Sequence, residues 1–168
     1  FRRWFTDELE PAVLAMESGA ELPYPLMRRM HEALGLDAML TRKSGEGDDR
    51  RGARAAGGPG LDAGAVRYAR TTFAVEMARV SPSFALSWGA STGLFGANVA
   101  NKGTPEQVER WAMPALRCEK IGSWGLTEPG AGSDALSGMR TTARRDGDHW
   151  VLDGSKTFIT NAPFADVF

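Results

Sequence analysis

Through roughly the first 120 residues the apolar side chains recur every three or four positions, the interval that lines one face of a helix. Phe1, Trp4, Phe5, Leu9 and Val13 form the first such stripe, with Pro11 bending or interrupting it and Gly19 as its stop. Pro25 stands where a first helical residue belongs, and Leu26, Met30 and Leu34 continue to Gly35, so a helical hairpin is expected. From Thr41 to Gly60, glycines and mixed charges displace the apolar groups, and this stretch reads as a mobile loop. Asp62 is a candidate helix cap, after which Val66, Ala69, Phe73, Met77 and Val80 make the clearest amphipathic pattern of the chain.

Ser81-Pro82 opens a helix that runs uncharged to Asn101. Its serines, threonine and asparagines are too polar for a membrane span, so it is expected as a small-residue helix inside a bundle. Gly89, Gly93 and Gly96 lower its intrinsic helicity and let neighbours approach. Thr104-Pro105-Glu106-Gln107 is a capping box, followed by Val108, Trp111, Ala112 and Leu116 on one face. After Lys120 the period shortens. "IGSWGLT" reads as a short strand, and Met139–Arg145, His149–Asp153 and Lys156–Asn161 as three more, separated by the turn dipeptides Asp146-Gly147 and Asp153-Gly154. Strand alternation would put Phe158 and Thr160 on one face and Thr157 and Ile159 on the other. Helices first and strands afterwards predict an α+β fold, an all-α domain over residues 1–120 and the start of a β-domain over 121–168.

Composition narrows the partners. The 168 residues, 42% hydrophobic, suffice for a real core, and 20 basic residues against 21 acidic leave a charge of −1, with no polybasic field for nucleic acid or anionic membrane. The one cysteine, Cys118, excludes an internal disulfide and has no Cys or His at metal-ligand spacing; a buried structural thiol is expected and no metal site. No Walker loop, HExxH or GxGxxG is present, and His31 and His149 read as solvated surface residues. The chain starts at Phe1 rather than methionine and stops among apolar residues, as a piece of a longer protein does.

The densest chemistry lies in "GSWGLTEPGAGSDALSG", Gly122 to Gly138. Pro129 fixes one backbone angle, Gly130 and Gly132 permit left-handed turns that would converge amides on one point, Thr127 and Ser133 supply hydroxyls, and Trp124 a flat apolar face. Donors beside an aromatic wall suit a planar heterocycle carrying phosphate better than a metal. The same residues would serve equally as turn caps and core filler, and the residues alone leave both readings open.

"GSWGLTEPGAGSD" with "FITN" some twenty-five residues later resembles the acyl-CoA dehydrogenase family, whose corresponding segments run "TEPGAGSD" and "WITN". "GTPEQ", "EKIG" and "DGSK" fall in the family's order, and the resemblance covers essentially the whole chain. It implies an N-terminal helical domain followed by the beginning of an antiparallel β-barrel domain, and a homo-oligomer, dimer or tetramer, in the cytoplasm or the mitochondrial matrix. It further implies a flavoprotein oxidoreductase of fatty-acid or amino-acid catabolism that uses FAD to convert an acyl-CoA thioester to the trans-2-enoyl-CoA. Electrons would pass on to an electron-transfer flavoprotein. Carried over by position, Trp124, Leu126 and Thr127 would line the flavin, and Gly132 and Ser133 would donate to FAD. Ser133 would also contact the acyl-CoA. Phe158, Ile159 and Thr160 would form a second wall, Thr160 near flavin N5. Glu128 is assigned to stabilising the turn. The catalytic glutamate of the family belongs to a C-terminal helical domain that this chain lacks, so no catalytic residue is expected in it. Phe158 replaces the usual Trp, and the Thr41–Gly60 loop departs from the family's short acidic-aromatic "EEYGG" segment. An oxidase or other flavoenzyme of the same fold, or a catalytically silent partner subunit, would carry the same motifs.

Overall fold

In the computed structural model of the chain, which describes residues 1–36 and 63–168, the helical stripes become helices whose irregularities trace to particular residues. The loop expected over Thr41–Gly60 and the cap expected at Asp62 lie outside the described residues. Helix α1 is a continuous run built from Arg2–Trp4, a widened π-type turn at Phe5–Leu9, a 3-10 turn at Glu10–Ala12 and Val13–Glu17. The widened turn comes directly before Pro11, whose ring and missing N–H disallow the regular bond to the residue four back. Helix α2 is Tyr24–Ala33, with Pro25 in its first turn, and Gly19 and Gly35, both at positive φ, follow α1 and α2 as their stops.

Helix α3 spans Ala63–Val80. Helix α4 is the uncharged run Pro82–Gly89, Ala90–Gly96 and Ala97–Lys102, the middle part again π-type. Ser81 caps it, its Oγ accepting the Phe84 amide at 3.1 Å. Helix α5 comprises Pro105–Gln107, a π-type turn at Val108–Ala112 and Met113–Leu116, where Pro114 repeats the arrangement seen at Pro11. Both halves of its capping box form: the Gln107 amide donates to Thr104 Oγ1 at 3.3 Å and the Thr104 amide to Gln107 Oε1 at 2.9 Å.

The core gathers Phe5 and Leu9 of α1, Met27 and Met30 of α2, Phe73 and Met77 of α3 and Phe84 of α4, with Cys118 and Ile121. Complete burial of such side chains is worth roughly 2 kcal/mol each. Rings stack at its centre, Phe73 lying 5.4 Å from Phe5 and 5.3 Å from Trp88. Cys118 is fully buried and free, as expected, and burial pushes its thiol up to about 12. His31, by contrast, is buried rather than solvated. It shares the inward face of α2 with Tyr24, Met27 and Met30, and helical spacing leaves it no route to water. Helix α4 is not enclosed by the described residues: Phe84, Ser87, Ser91 and Phe95 face inward, while Leu86 and Leu94 are exposed.

Beyond α5 the chain turns irregular, with a one-turn helix α6 at Ala135–Gly138. Strands β1, Thr142–Asp146, and β2, His149–Asp153, pair antiparallel with Asp146 opposite His149, so the two-residue loop is Gly147-Asp148, one position later than the dipeptide expected. Gly147 holds φ 59, the left-handed conformation such loops need at their first position. Helices then antiparallel strands match the α+β expectation, but two of the four expected strands do not form. "IGSWGLT" makes one isolated bridge, Gly122 to Val167, and a second, Glu128 to Ala131, lies just beyond it. Lys156–Asn161 is a turn, because Phe158 and Asn161 adopt φ 55 and 69, incompatible with a strand. The alternation that would have put Phe158 and Thr160 on one sheet face therefore does not apply.

Candidate functional site: two segments clamped beside an apolar platform

Gly122 is the point at which the irregular segment meets the helices. A Cβ there would lie 2.6 Å from the Phe95 ring, so only glycine lets this backbone approach α4. The Gly122 amide donates to Ser91 Oγ at 2.9 Å, and the flanking residues are tied to the end of the chain by Ile121 N to Asp166 Oδ2 at 2.7 Å and Ser123 N to Val167 O at 2.9 Å. A short stem tied on both sides results, and Trp124 to Ser133 follow it in the chain.

The segment 156–161 lies alongside that stem. The Thr157 amide donates to Thr127 O at 2.9 Å, Lys156 Nζ to Leu126 O at 3.1 Å, and Ser123 Oγ to Thr160 O at 2.7 Å. Trp124, Leu126 and Thr127 are thereby brought together with Phe158, Ile159 and Thr160. Trp124 and Leu126 are exposed and Phe158 is 92% exposed, so both clamped segments present aromatic or aliphatic surface that the described residues leave uncovered. Gly132 and Ser133 sit on the exposed turn that follows, linked back by the paired Glu128 and Ala131 backbones. Gly130 and Gly132 do not adopt positive φ, contrary to expectation, and the Gly132 amide donates to Asp134 Oδ1 at 3.2 Å. A ligand using that amide must displace this carboxylate, because the donor is already engaged inside the turn.

Glu128 is a strut. Its carboxylate accepts the Arg140 amide at 2.7 Å, the Thr141 amide at 2.9 Å and Lys156 Nζ at 2.9 Å, joining the stem, the segment before β1 and the 156–161 turn. The Thr141 side chain, the Arg140 amide, the Lys156 ammonium and the Thr141 amide hold this carboxyl down at about 2. So acidic a group, with its oxygens occupied, is a poor proton acceptor, in keeping with the turn-stabilising assignment.

Asn161, Ser87, Ser123 and Lys156 do the clamping, and none was singled out from sequence. Asn161 stood inside the quoted "FITN", but nothing in the sequence alone shows that its partners lie on α4 and at Gly122. On the far side of Trp124 a cleft of about 680 Å³ opens between α4, α5 and the last residues, lined by Phe95, Val99, Trp111 and Phe168 among others. Trp124 lines it as well, whereas Thr127, Gly132, Ser133 and Thr160 do not. Among the described residues no group of acidic, His or Cys side chains is arranged to hold a metal ion.

Comparison with known proteins bears on what this arrangement is. The model of the acyl-CoA dehydrogenase N-terminal domain matches residues 1–119, and that of the acyl-CoA dehydrogenase middle domain matches residues 123–168. The chain belongs to the acyl-CoA dehydrogenase family. Among the relatives of this chain, 3-(aryl)acrylate reductase of Clostridium sporogenes is 33% identical over 98% of this chain and 39% of its own length. The mitochondrial short-chain specific acyl-CoA dehydrogenase of Bos taurus is 35% identical over 92% of this chain and 34% of its own length. A glutaryl-CoA dehydrogenase from Mycobacterium smegmatis, solved in complex with FADH2, superposes with a TM-score of 0.72 at 30% identity, covering 98% of this chain and 38% of that one. The chain thus spans between one third and two fifths of the length of these relatives, and within it the family's helical part precedes a short antiparallel hairpin at the start of the middle domain.

Proposed function

We propose that the protein containing this chain is an FAD-dependent acyl-CoA dehydrogenase, converting an acyl-CoA thioester to the trans-2-enoyl-CoA and passing electrons to an electron-transfer flavoprotein. The observation that carries this is the clamped pair of segments, which ties residues 123–127 to residues 157–160 and leaves Trp124, Leu126 and Phe158 uncovered. The residue types present suit a flavin: exposed apolar side chains for a flat ring, hydroxyls able to donate to its polar edge, and a backbone tied by several hydrogen bonds. Solved relatives described with FADH2 and with FAD support the same group. Bound FAD supplies the hydride acceptor for the substrate's β-hydrogen.

The part played by this chain is to bind and orient. Trp124, Leu126, Phe158 and Ile159 offer apolar surface to the ring, and Thr127 and Thr160 offer hydroxyls to its polar edge. Gly132 and Ser133 donate toward the FAD chain once the Asp134 contact gives way, with Ser133 also contacting the acyl-CoA. Glu128 keeps the turn in place and takes no proton. The α-proton requires a carboxylate base outside this chain, and the complete enzyme is a homo-oligomer, a dimer or tetramer. The name of one relative, a caffeyl-CoA reductase–Etf complex subunit of Acetobacterium woodii, supports the electron-transfer partner. The 3-(aryl)acrylate reductase similarity favours a second reading, in which the same site runs toward reduction of an enoyl substrate.

Purified intact protein, loaded with FAD, is expected to be yellow and to bleach anaerobically with a suitable acyl-CoA. Rapid peroxide formation by the reduced, substrate-bound protein would instead identify an oxidase. Bleaching by reduced electron-transfer flavoprotein and reoxidation by an enoyl-CoA, without oxidation of any acyl-CoA, would identify the reductase. A protein that binds FAD and does neither would be a silent partner.

A further inference from the structure

We propose that Ser87 and Asn161 are positioning residues for the flavin wall, coupling helix α4 to the Phe158–Thr160 turn; the proposal rests on the flavin assignment above. Asn161 is 8% exposed and sits at φ 69, a conformation asparagine tolerates better than most residues. Its side chain has two acceptor sites and two donor hydrogens, and all four are used. Oδ1 accepts Ser87 Oγ at 2.5 Å and, more loosely, the Tyr24 hydroxyl at 3.5 Å. Nδ2 donates to Ser87 O at 2.9 Å and Gly122 O at 3.2 Å. One amide therefore joins α2, α4, the stem before Trp124 and the turn carrying Phe158, Ile159 and Thr160.

The placement of these bonds points to positioning rather than general packing. Immediately N-terminal to Asn161, Ser123 Oγ donates to Thr160 O, so the carbonyl of the Thr160–Asn161 peptide and the side chain that follows it are both anchored. Phe158, two residues further back, is almost wholly exposed and has little packing of its own to fix it. The turn's left-handed positions, at 158 and 161, are conformations the chain does not hold without outside support. The Ser87–Asn161 lock supplies that support from α4. When the lock is removed, the turn samples other conformations, and the observed flavin affinity falls by the fraction of time spent in the competent one.

The test uses the intact protein as apoprotein reconstituted with FAD, reading the dissociation constant by flavin fluorescence and the thermal midpoint of the apoprotein. Ser87→Ala is expected to weaken FAD binding about five- to tenfold, the size of one buried hydrogen bond. Ser87→Thr, which returns the hydroxyl, is expected to restore it. Asn161→Gly keeps the backbone conformation and removes the four bonds, and is expected to weaken binding further. If Ser87→Ala does not fold, Asn161→Gly carries the same discrimination. Unchanged FAD affinity in these variants, with only a lowered apoprotein midpoint, would overturn the proposal by showing a merely structural role. Failure of the unsubstituted intact protein to bind FAD would overturn the flavin assignment itself, so the two failures are separable.

Discussion

At position 128 a carboxylate receives two backbone amides and an ammonium within 2.9 Å while only 7% of the residue meets solvent. Its pKa in the fold, about 2, lies below its ordinary 4.5, so folding favours the deprotonated form. The resulting stabilisation is complete above about pH 4.5 and is lost as pH falls toward 2. Thermal midpoints of the intact protein between these pH values should fall more steeply than those of Glu128→Gln; parallel curves would contradict the account. At Gly122 the constraint is steric. A Cβ would meet three Phe95 ring and side-chain carbons at 2.6 to 2.8 Å, and overpacking of this kind costs about 1–3 kcal/mol. Gly122→Ala is therefore expected to lower the denaturant midpoint, and an unchanged midpoint would mean that the stem does not approach α4 so closely.

Among the elements, α5 owes its start to a reciprocal pair, Thr104 and Gln107, both halves of which are formed. Thr104→Ala should cost about 1 kcal/mol in chemical denaturation, and Thr104→Ser much less. Local signals of this kind were readable in advance: the capping box, the Ser81 cap, the prolines in first turns and the stops at Gly19 and Gly35 each depend on residues a few positions apart. The strands at 121–127 and 156–161 were misjudged for the opposite reason. Apolar alternation there resembles that of a strand, but the long-range backbone bonds are isolated, as from Thr157 to Thr127, others close local turns, as from Leu126 to Trp124, and two left-handed residues break the extension of 156–161. The burial of His31 is set by which face of α2 turns to the core, and that choice depends on residues far away in the sequence. The site was legible as a motif and not as a mechanism of assembly: "TEPGAGSD" and "FITN" marked the segments, whereas Ser87, Ser123 and Lys156, which hold them together, carry no local signature.

For the molecule as a whole, α1 and α3 are joined at the edge of the core by Glu76, which accepts Arg2 Nε at 3.0 Å and Arg79 Nε at 3.2 Å and is held, chiefly by the Arg2 hydrogen bond, at about 2. Its contribution follows the same sign as that of Glu128, so Glu76→Gln should also flatten the acid limb of the stability profile between about pH 4.5 and 2. The helical assembly buries its own core, yet Trp124, Phe158, Leu86, Leu94 and both faces of the β1–β2 hairpin remain exposed. In the proposed enzyme the first two are covered by FAD. The most direct measurement is an anaerobic titration of the FAD-loaded intact protein with acyl-CoA thioesters, followed in the visible spectrum. The account predicts bound oxidised flavin that bleaches on addition of an acyl-CoA and regains colour with electron-transfer flavoprotein. A protein that stays colourless after incubation with excess FAD would contradict it.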